Sequence, residues 1–139
     1  MRCKVMQRKL ARENAFMLIF ESVCKTDEVA EEIFLKATEH RGLETDDYVK
    51  SVFFGSYEKK EELDSAIEKH LMGWKKNRIS PVSMAILRLS AYEMLYITDV
   101  PAKVSINEAV ELAKKFDDEK SYSFVNGVLN ALADELALK

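Results

Sequence analysis

The sequence predicts an all-α fold, and three observations lead to that class. Only four glycines and two prolines occur among 139 residues, too few for the many tight turns of a multi-stranded β fold. Apolar residues make up 47% and charged residues 32% of the chain, a balance typical of a folded globule. Apolar side chains recur with helical spacing. We therefore predict one compact bundle of six to seven helices around one core.

The N-terminal half is predicted to contain three or four helices. The first spans about 7–24 and the second about 28–38, and the second ends where Gly42 follows His40 and Arg41. A long helical stretch over about 46–71 is expected to divide near 57–60.

The next helix is predicted to be the centre of the bundle. Ser80 and Pro81 favour its start, because a serine N-cap and a proline at the first helical position both suit a helix N-terminus. It ends before Pro101, since proline disfavours helix in the preceding residue. Its apolar residues lie on all sides, which is typical of a helix enclosed by others. Arg88 and Glu93 within it must therefore find partners or reach the surface.

Two amphipathic helices are predicted to complete the chain. Ser105 and Glu108 have the spacing of a capping box, in which a hydroxyl and a carboxylate satisfy backbone N–H groups. We expect them to start the first of these helices, which ends near Phe116. The last helix is predicted to span about 121–136.

Positive charge is concentrated at the start of an otherwise acidic chain. Residues 1–12 contain five basic side chains and no acid, whereas the whole chain has a net charge of −3. On the predicted first helix Arg8, Lys9 and Arg12 extend the side that continues with Phe16. We expect these cations to project past the core beside an aromatic edge, a surface that suits RNA. The alternative is that they lie over the core and bind nothing.

No motif for catalysis, metal binding or cofactor binding occurs in the sequence. The phosphate-binding patterns GxxxxGK[ST] and GxGxxG and the nucleophile pattern GxSxG are absent. His40 and His70 have no metal-binding spacing, and Cys3 and Cys24 form neither a CxxC motif nor a disulfide framework. We expect a non-enzymatic protein without metal or cofactor. The longest apolar stretch, 84–97, is short and contains charges, so we expect no membrane span and a cytoplasmic location.

Several segments, in this order, resemble the NusB family of bacterial transcription antitermination factors. They are a basic first helix over 8–20, then AILRLSAYEM at 85–94, DVP at 99–101, SINEAVELAK at 105–114 and FVNGVL at 124–129. Their order and spacing agree along nearly the whole chain. The resemblance implies one domain over 1–139, with small helical subdomains at about 1–72 and about 80–139.

The resemblance also implies a function and partners. NusB proteins bind boxA, a short single-stranded RNA element of ribosomal RNA leaders, together with the small-subunit ribosomal protein NusE. The pair joins an RNA polymerase antitermination complex, so contact with the polymerase is expected to be indirect. Whether the free chain is a monomer or a homodimer is left open. A helical protein–protein adaptor without direct RNA contact is the alternative hypothesis.

Six residues match positions near the family's RNA and protein contacts. The residues that match RNA-contacting or RNA-proximal positions are Arg8, Lys9, Arg12, Lys120 and Phe124. Arg88 matches a position near the NusE contact. The basic loop before Ser80 is either solvated or a second phosphate contact, through Lys75, Lys76 and Arg78.

Two of these residues have structural alternatives, and two other positions depart from the family. Phe124 could equally belong to the core, and Arg88 could pair internally with Glu93 or with another acid. Asp117 stands where the family often has glycine, and Ser123 where it often has a basic residue. We therefore expect weak RNA binding by the chain alone and tighter binding with NusE.

Overall fold

The computed structural model describes residues 6–71, 73 and 78–138, which form seven α-helices and one π-helical turn. The helices are α1 (Arg8–Cys24), α2 (Ala30–Leu35), α3 (Asp47–Glu58), α4 (Lys60–Glu68), α5 (Pro81–Tyr96), α6 (Ala102–Phe116) and α7 (Glu119–Glu135). The π turn, Lys36–His40, directly follows α2. No strand occurs among the described residues. The all-α class and the number of helices are confirmed.

The central helix is α5, as predicted. It packs against α1, α3, α4, α6 and α7, and most of its residues are buried. Its start has the expected chemistry, because the Ser80 hydroxyl accepts from the backbone N–H of Ser83 at 3.0 Å and Pro81 occupies the first turn. The division into two subdomains stays a prediction, since α5 contacts helices of both proposed parts.

Local turn chemistry accounts for some of the other helix ends. The chain turns at Gly42, whose φ of +68° lies in the left-handed region that glycine adopts readily. The predicted division of the 46–71 stretch is confirmed at Lys59. The last helix begins slightly before the predicted residue, because Asp118 accepts from the N–H groups of Lys120 and Ser121 at 3.1 and 3.0 Å.

The predicted capping box at Ser105 is wrong. Helix α6 begins after Pro101, so Ser105 lies inside the helix and is buried. Its hydroxyl donates to Glu93 at 2.8 Å instead of capping a helix end. The acid that captures this hydroxyl belongs to α5, so a four-residue pattern could not reveal it.

Apolar side chains from all seven helices form one core cluster. On α7 the buried positions include Val125, Val128, Leu129 and Leu132, as helical spacing predicts. No helix in 6–71 or 78–138 is both long and apolar enough to cross a membrane.

Candidate nucleic-acid interface

A buried ion pair between Arg12 and Glu93 anchors the first helix to the bundle. The Arg12 Nη2 atom lies 2.9 Å from Glu93 Oε2, and Arg12 Nε donates to the two carboxylate oxygens at 3.2 and 3.3 Å. The two side chains are 5% and 0% exposed. A planar guanidinium group matches a carboxylate with two of its donors, which fixes the relative orientation of α1 and α5.

Two hydroxyl groups complete the surroundings of Glu93. Tyr48 on α3 donates to Oε2 at 2.8 Å, and Ser105 on α6 donates to Oε1 at 2.8 Å. The Ser105 hydroxyl also lies 2.8 Å from that of Ser90. The carboxylate therefore receives donors from three helices, which satisfies a charge that would otherwise be costly to bury.

The protonation states of Tyr48 and Arg12 suit this network. Burial raises the pKa of Tyr48 above its ordinary value, and the negative charge of Glu93 raises it further. Burial alone would lower the pKa of Arg12, but the hydrogen bond and charge of Glu93 outweigh it and raise that pKa. Arg12 thus stays charged and Tyr48 stays a hydrogen-bond donor at neutral pH.

The geometry corrects the expectation that all three cations of the first helix lie outside the core. Arg12 is buried and paired internally, so its guanidinium is not presented to a phosphate. Arg8 and Lys9 are exposed. The partner that withdraws Arg12 is Glu93, 81 residues away in sequence, which explains why helical spacing alone could not separate these cations.

Arg8 and Lys9 lie on two different sides of the first turn of α1. The guanidinium carbon of Arg8 is 4.2 Å from the centroid of the Tyr48 ring, within range of a cation–π contact. Lys9 lines a cleft between α1 and α6 together with Lys114 and Lys115. The sequence did not indicate that Tyr48 lies beside Arg8 or the two lysines beside Lys9, because only the packing of the helices brings them together.

Lys120 and Phe124 lie together at a second concave surface, at the start of α7. Arg78, which is exposed, lines the same surface. Lys120 is exposed and Phe124 is half-buried against the core cluster. Phe124 therefore packs against the core and still borders this surface. Several other basic residues lie outside the described residues, namely Arg2, Lys4, Lys75 and Lys76. Trp74 lies outside them as well.

Asp117 joins the loop before α7 to the start of α5 by hydrogen bonds. Its Oδ2 atom accepts from the hydroxyl groups of Ser80 and Ser83 at 2.9 and 3.0 Å. The aspartate at this position thus adds two hydrogen bonds beside Lys120 and Phe124.

Arg88 joins α5 to α4 through Asp64. Its Nε and Nη2 atoms donate to the two carboxylate oxygens of Asp64, each at 2.8 Å, and the side chains are 14% and 12% exposed. The internal pairing of Arg88 with an acid elsewhere is confirmed, and its pairing with Glu93 is wrong. A role of Arg88 near a NusE contact stays a prediction.

Comparison with known sequences gives consistent matches. The NusB family model matches residues 9–134. A transcription antitermination protein NusB of Clostridium perfringens (strain 13) is 49% identical over 129 residues, covering 90% of this chain and 95% of that protein. The protein of the same name from Bacillus subtilis (strain 168) is 43% identical over 131 residues, covering 94% and 98% of the two chains.

Solved structures agree with the sequence comparison. T. maritima NusB superposes with a TM-score of 0.82 at 33% identity, covering 95% of this chain and 94% of that one. A chain in a crystal structure of the antitermination factors NusB and NusE in complex with double-stranded RNA gives a TM-score of 0.81 at 31% identity, with coverage of 92% and 96%.

Among the described residues, no group of three or more histidine, cysteine, aspartate or glutamate residues could hold a metal ion.

Proposed function

The chain belongs to the NusB family, and from that premise we propose that it is a non-enzymatic, RNA-binding transcription antitermination protein. Relatives that match nearly the whole chain are named transcription antitermination protein NusB, and a similar structure contains NusB with NusE and RNA. The proposed ligand is the boxA-type single-stranded RNA of ribosomal RNA leaders, bound together with NusE in the cytoplasm. The link to RNA polymerase is proposed to be indirect.

The RNA-binding proposal rests on one observation. Arg8 and Lys9 are exposed on a helix turn whose buried side is bound to the rest of the bundle. Arg12, in the same helix, is fixed by Glu93, and Arg8 lies over the Tyr48 ring. Cations whose backbone is already ordered lose less conformational entropy when they contact phosphates. Arg8 and Lys9 therefore form the proposed first phosphate contact, and Arg12 supports it without touching RNA.

The surface at the start of α7 is the proposed second contact. Lys120 and Arg78 supply positive charge there, and Phe124 supplies part of an aromatic face. Single-stranded RNA is bound in general by cations along the backbone and by aromatic side chains against the bases. The hydrogen bonds of Asp117 to Ser80 and Ser83 hold this surface in place.

The proposed NusE surface involves the face where α4 meets α5. Arg88 and Asp64 bind each other across these two helices. Because both side chains are mostly buried, Arg88 would act chiefly by fixing the relative position of the helices. A composite surface of this chain and NusE would supply the contacts that make RNA binding tight.

A titration distinguishes this function from that of a protein adaptor. Labelled boxA RNA and a scrambled RNA of equal composition would be titrated with the chain, with and without NusE, at several salt concentrations. We expect NusE to tighten binding of boxA RNA more than binding of the scrambled RNA. Equal affinities for the two RNAs in the presence of NusE would refute the boxA proposal. A complex with NusE that gains no RNA affinity would instead support the adaptor.

A further inference from the structure

A cation and an aromatic ring meet where α6 ends and α7 begins, and neither belongs to the two RNA contacts proposed above. The Lys114 Nζ atom lies 5.2 Å from the centroid of the Tyr122 ring. The Tyr122 side chain nevertheless stays 37% exposed, so part of the ring is open to solvent. A partly open ring beside an ammonium group offers a nucleotide two contacts, one for its base and one for its phosphate.

This pair connects the two proposed RNA contacts. Lys114 lines the cleft that also contains Lys9 and Lys115, which places it beside the first contact. Tyr122 stands two residues after Lys120 in the first turns of α7, so it lies near the second contact but on another side of the helix. An RNA strand that reaches from Lys9 to Lys120 would therefore pass along the end of α6.

The acids in this neighbourhood are largely engaged by cations. Three glutamates line the same cleft, namely Glu13, Glu108 and Glu111. Lys115 binds Glu13 with distances of 2.9 and 3.0 Å, and Glu108 lies 3.6 Å from Arg12. Glu111 alone of the three has no ion pair with another described residue, so most of the negative charge here is already balanced.

A second exposed lysine–tyrosine pair lacks these surroundings. The Lys59 Nζ atom lies 5.5 Å from the Tyr96 ring, and Tyr96 is 40% exposed. The Tyr96 hydroxyl, however, donates to the carboxylate of Glu62, and Glu135 lines the same groove. None of the described residues that line this groove belongs to the two proposed RNA contacts, which makes Tyr96 a matched control for Tyr122.

We propose that Tyr122 stacks against a base of bound single-stranded RNA and that Lys114 contacts the adjoining phosphate. The two residues would form a third contact between the surfaces at Lys9 and Lys120. This inference rests on the proposed RNA-binding function and adds two residues to it. It also divides their roles, since the ring contributes stacking and the ammonium group contributes charge.

Salt titrations of four variants test the division of roles. Binding of a boxA-containing RNA would be measured for Tyr122→Leu, Tyr122→Phe, Lys114→Gln and the control Tyr96→Leu, with NusE present. Tyr122→Leu is expected to weaken binding roughly five-fold or more with an unchanged salt slope, because stacking releases no counterions. Tyr122→Phe keeps the ring and should bind as the parent does. Lys114→Gln should make the slope of log affinity against log salt shallower by about 0.7.

The outcomes separate failure of this inference from failure of the proposed function. If the parent binds RNA and both Tyr122→Leu and Lys114→Gln match its affinity and slope, the third contact is refuted while the function stands. If the parent does not bind RNA with NusE present, both are refuted. A variant that loses affinity for NusE, measured without RNA, would mark the pair as a protein contact and also overturn the inference. Lys114 is exposed, so its variant remains informative even if Tyr122→Leu unfolds.

Discussion

Arg12 and Glu93 bind each other inside the bundle, with two guanidinium nitrogens on one carboxylate across 81 residues of sequence. This pair has a structural role with a functional consequence. It fixes the start of α1 against α5. Tyr48 donates to the same carboxylate, and the guanidinium group of Arg8 lies over the face of the Tyr48 ring. The buried network therefore determines where the exposed cations of the first turn lie.

Arg12→Ala is expected to destabilise the fold by about 3–5 kcal/mol, because it leaves the Glu93 carboxylate buried without its ion partner. Urea denaturation at neutral pH measures the change. Lys9→Ala, one turn away on the exposed side, is the matched control and should change stability by no more than about 0.5 kcal/mol. Equal stability of the two variants would show that the Arg12–Glu93 pair does not anchor α1.

Tyr48→Phe removes a hydrogen bond to a buried charge and should destabilise the fold by about 1.5–3 kcal/mol at pH 7. Urea denaturation of the parent and the variant at a series of pH values gives both the size of the loss and its pH dependence. Because Phe keeps the ring, the contact with Arg8 remains, and the effect reports on the hydroxyl alone.

The pH dependence of this difference has a definite sign. The pKa of Tyr48 is raised by burial and by Glu93, so the folded chain keeps this proton after the unfolded chain has lost it. The resulting stability is fully present below about pH 10, the ordinary tyrosine value, and is lost as the pH rises above it. The gap between parent and Tyr48→Phe should therefore narrow above about pH 10. A constant gap up to pH 11 would contradict the buried position of Tyr48.

Two glycine substitutions should change stability in opposite directions. A Cβ atom at Gly55 in α3 would overlap the ring and hydroxyl of Tyr92 in α5, whereas one at Gly127 in α7 meets nothing within 4 Å. Gly55→Ala is expected to destabilise by about 1–3 kcal/mol through overpacking. Gly127→Ala should stabilise by about 0.5–1 kcal/mol, because alanine favours helix. Thermal denaturation of both variants checks the signs, and a stabilised Gly55→Ala would contradict the close approach of α3 and α5.

Much of the fold could be predicted from sequence because its determinants are local. Ser80 and Pro81 lie next to the helix they start, and the apolar residues of α5 surround its axis in any fold that buries it. The capping box failed for the opposite reason, since the Ser105 hydroxyl is taken by Glu93 from another helix.

The candidate site was only partly predictable. Its basic residues have similar local sequence surroundings, but they differ in the acids they meet, which come from distant parts of the sequence. Arg8 and Arg12 stand one turn apart in one helix, yet one is exposed and the other is buried against Glu93. Arg88 was likewise expected to pair with an acid, but only the packing of α4 against α5 shows that this acid is Asp64. Composition and helical spacing contain no information on such pairings.

The salt dependence of RNA binding by the Arg8→Ala/Lys9→Ala double variant, with NusE present, tests the proposed interface most directly. We predict weaker binding of boxA RNA than by the parent and a salt slope that is shallower by about 0.7 for each cation removed. Thermal stability should stay close to that of the parent, because both side chains are exposed. A double variant with the affinity and the slope of the parent would show that RNA does not contact the first turn of α1.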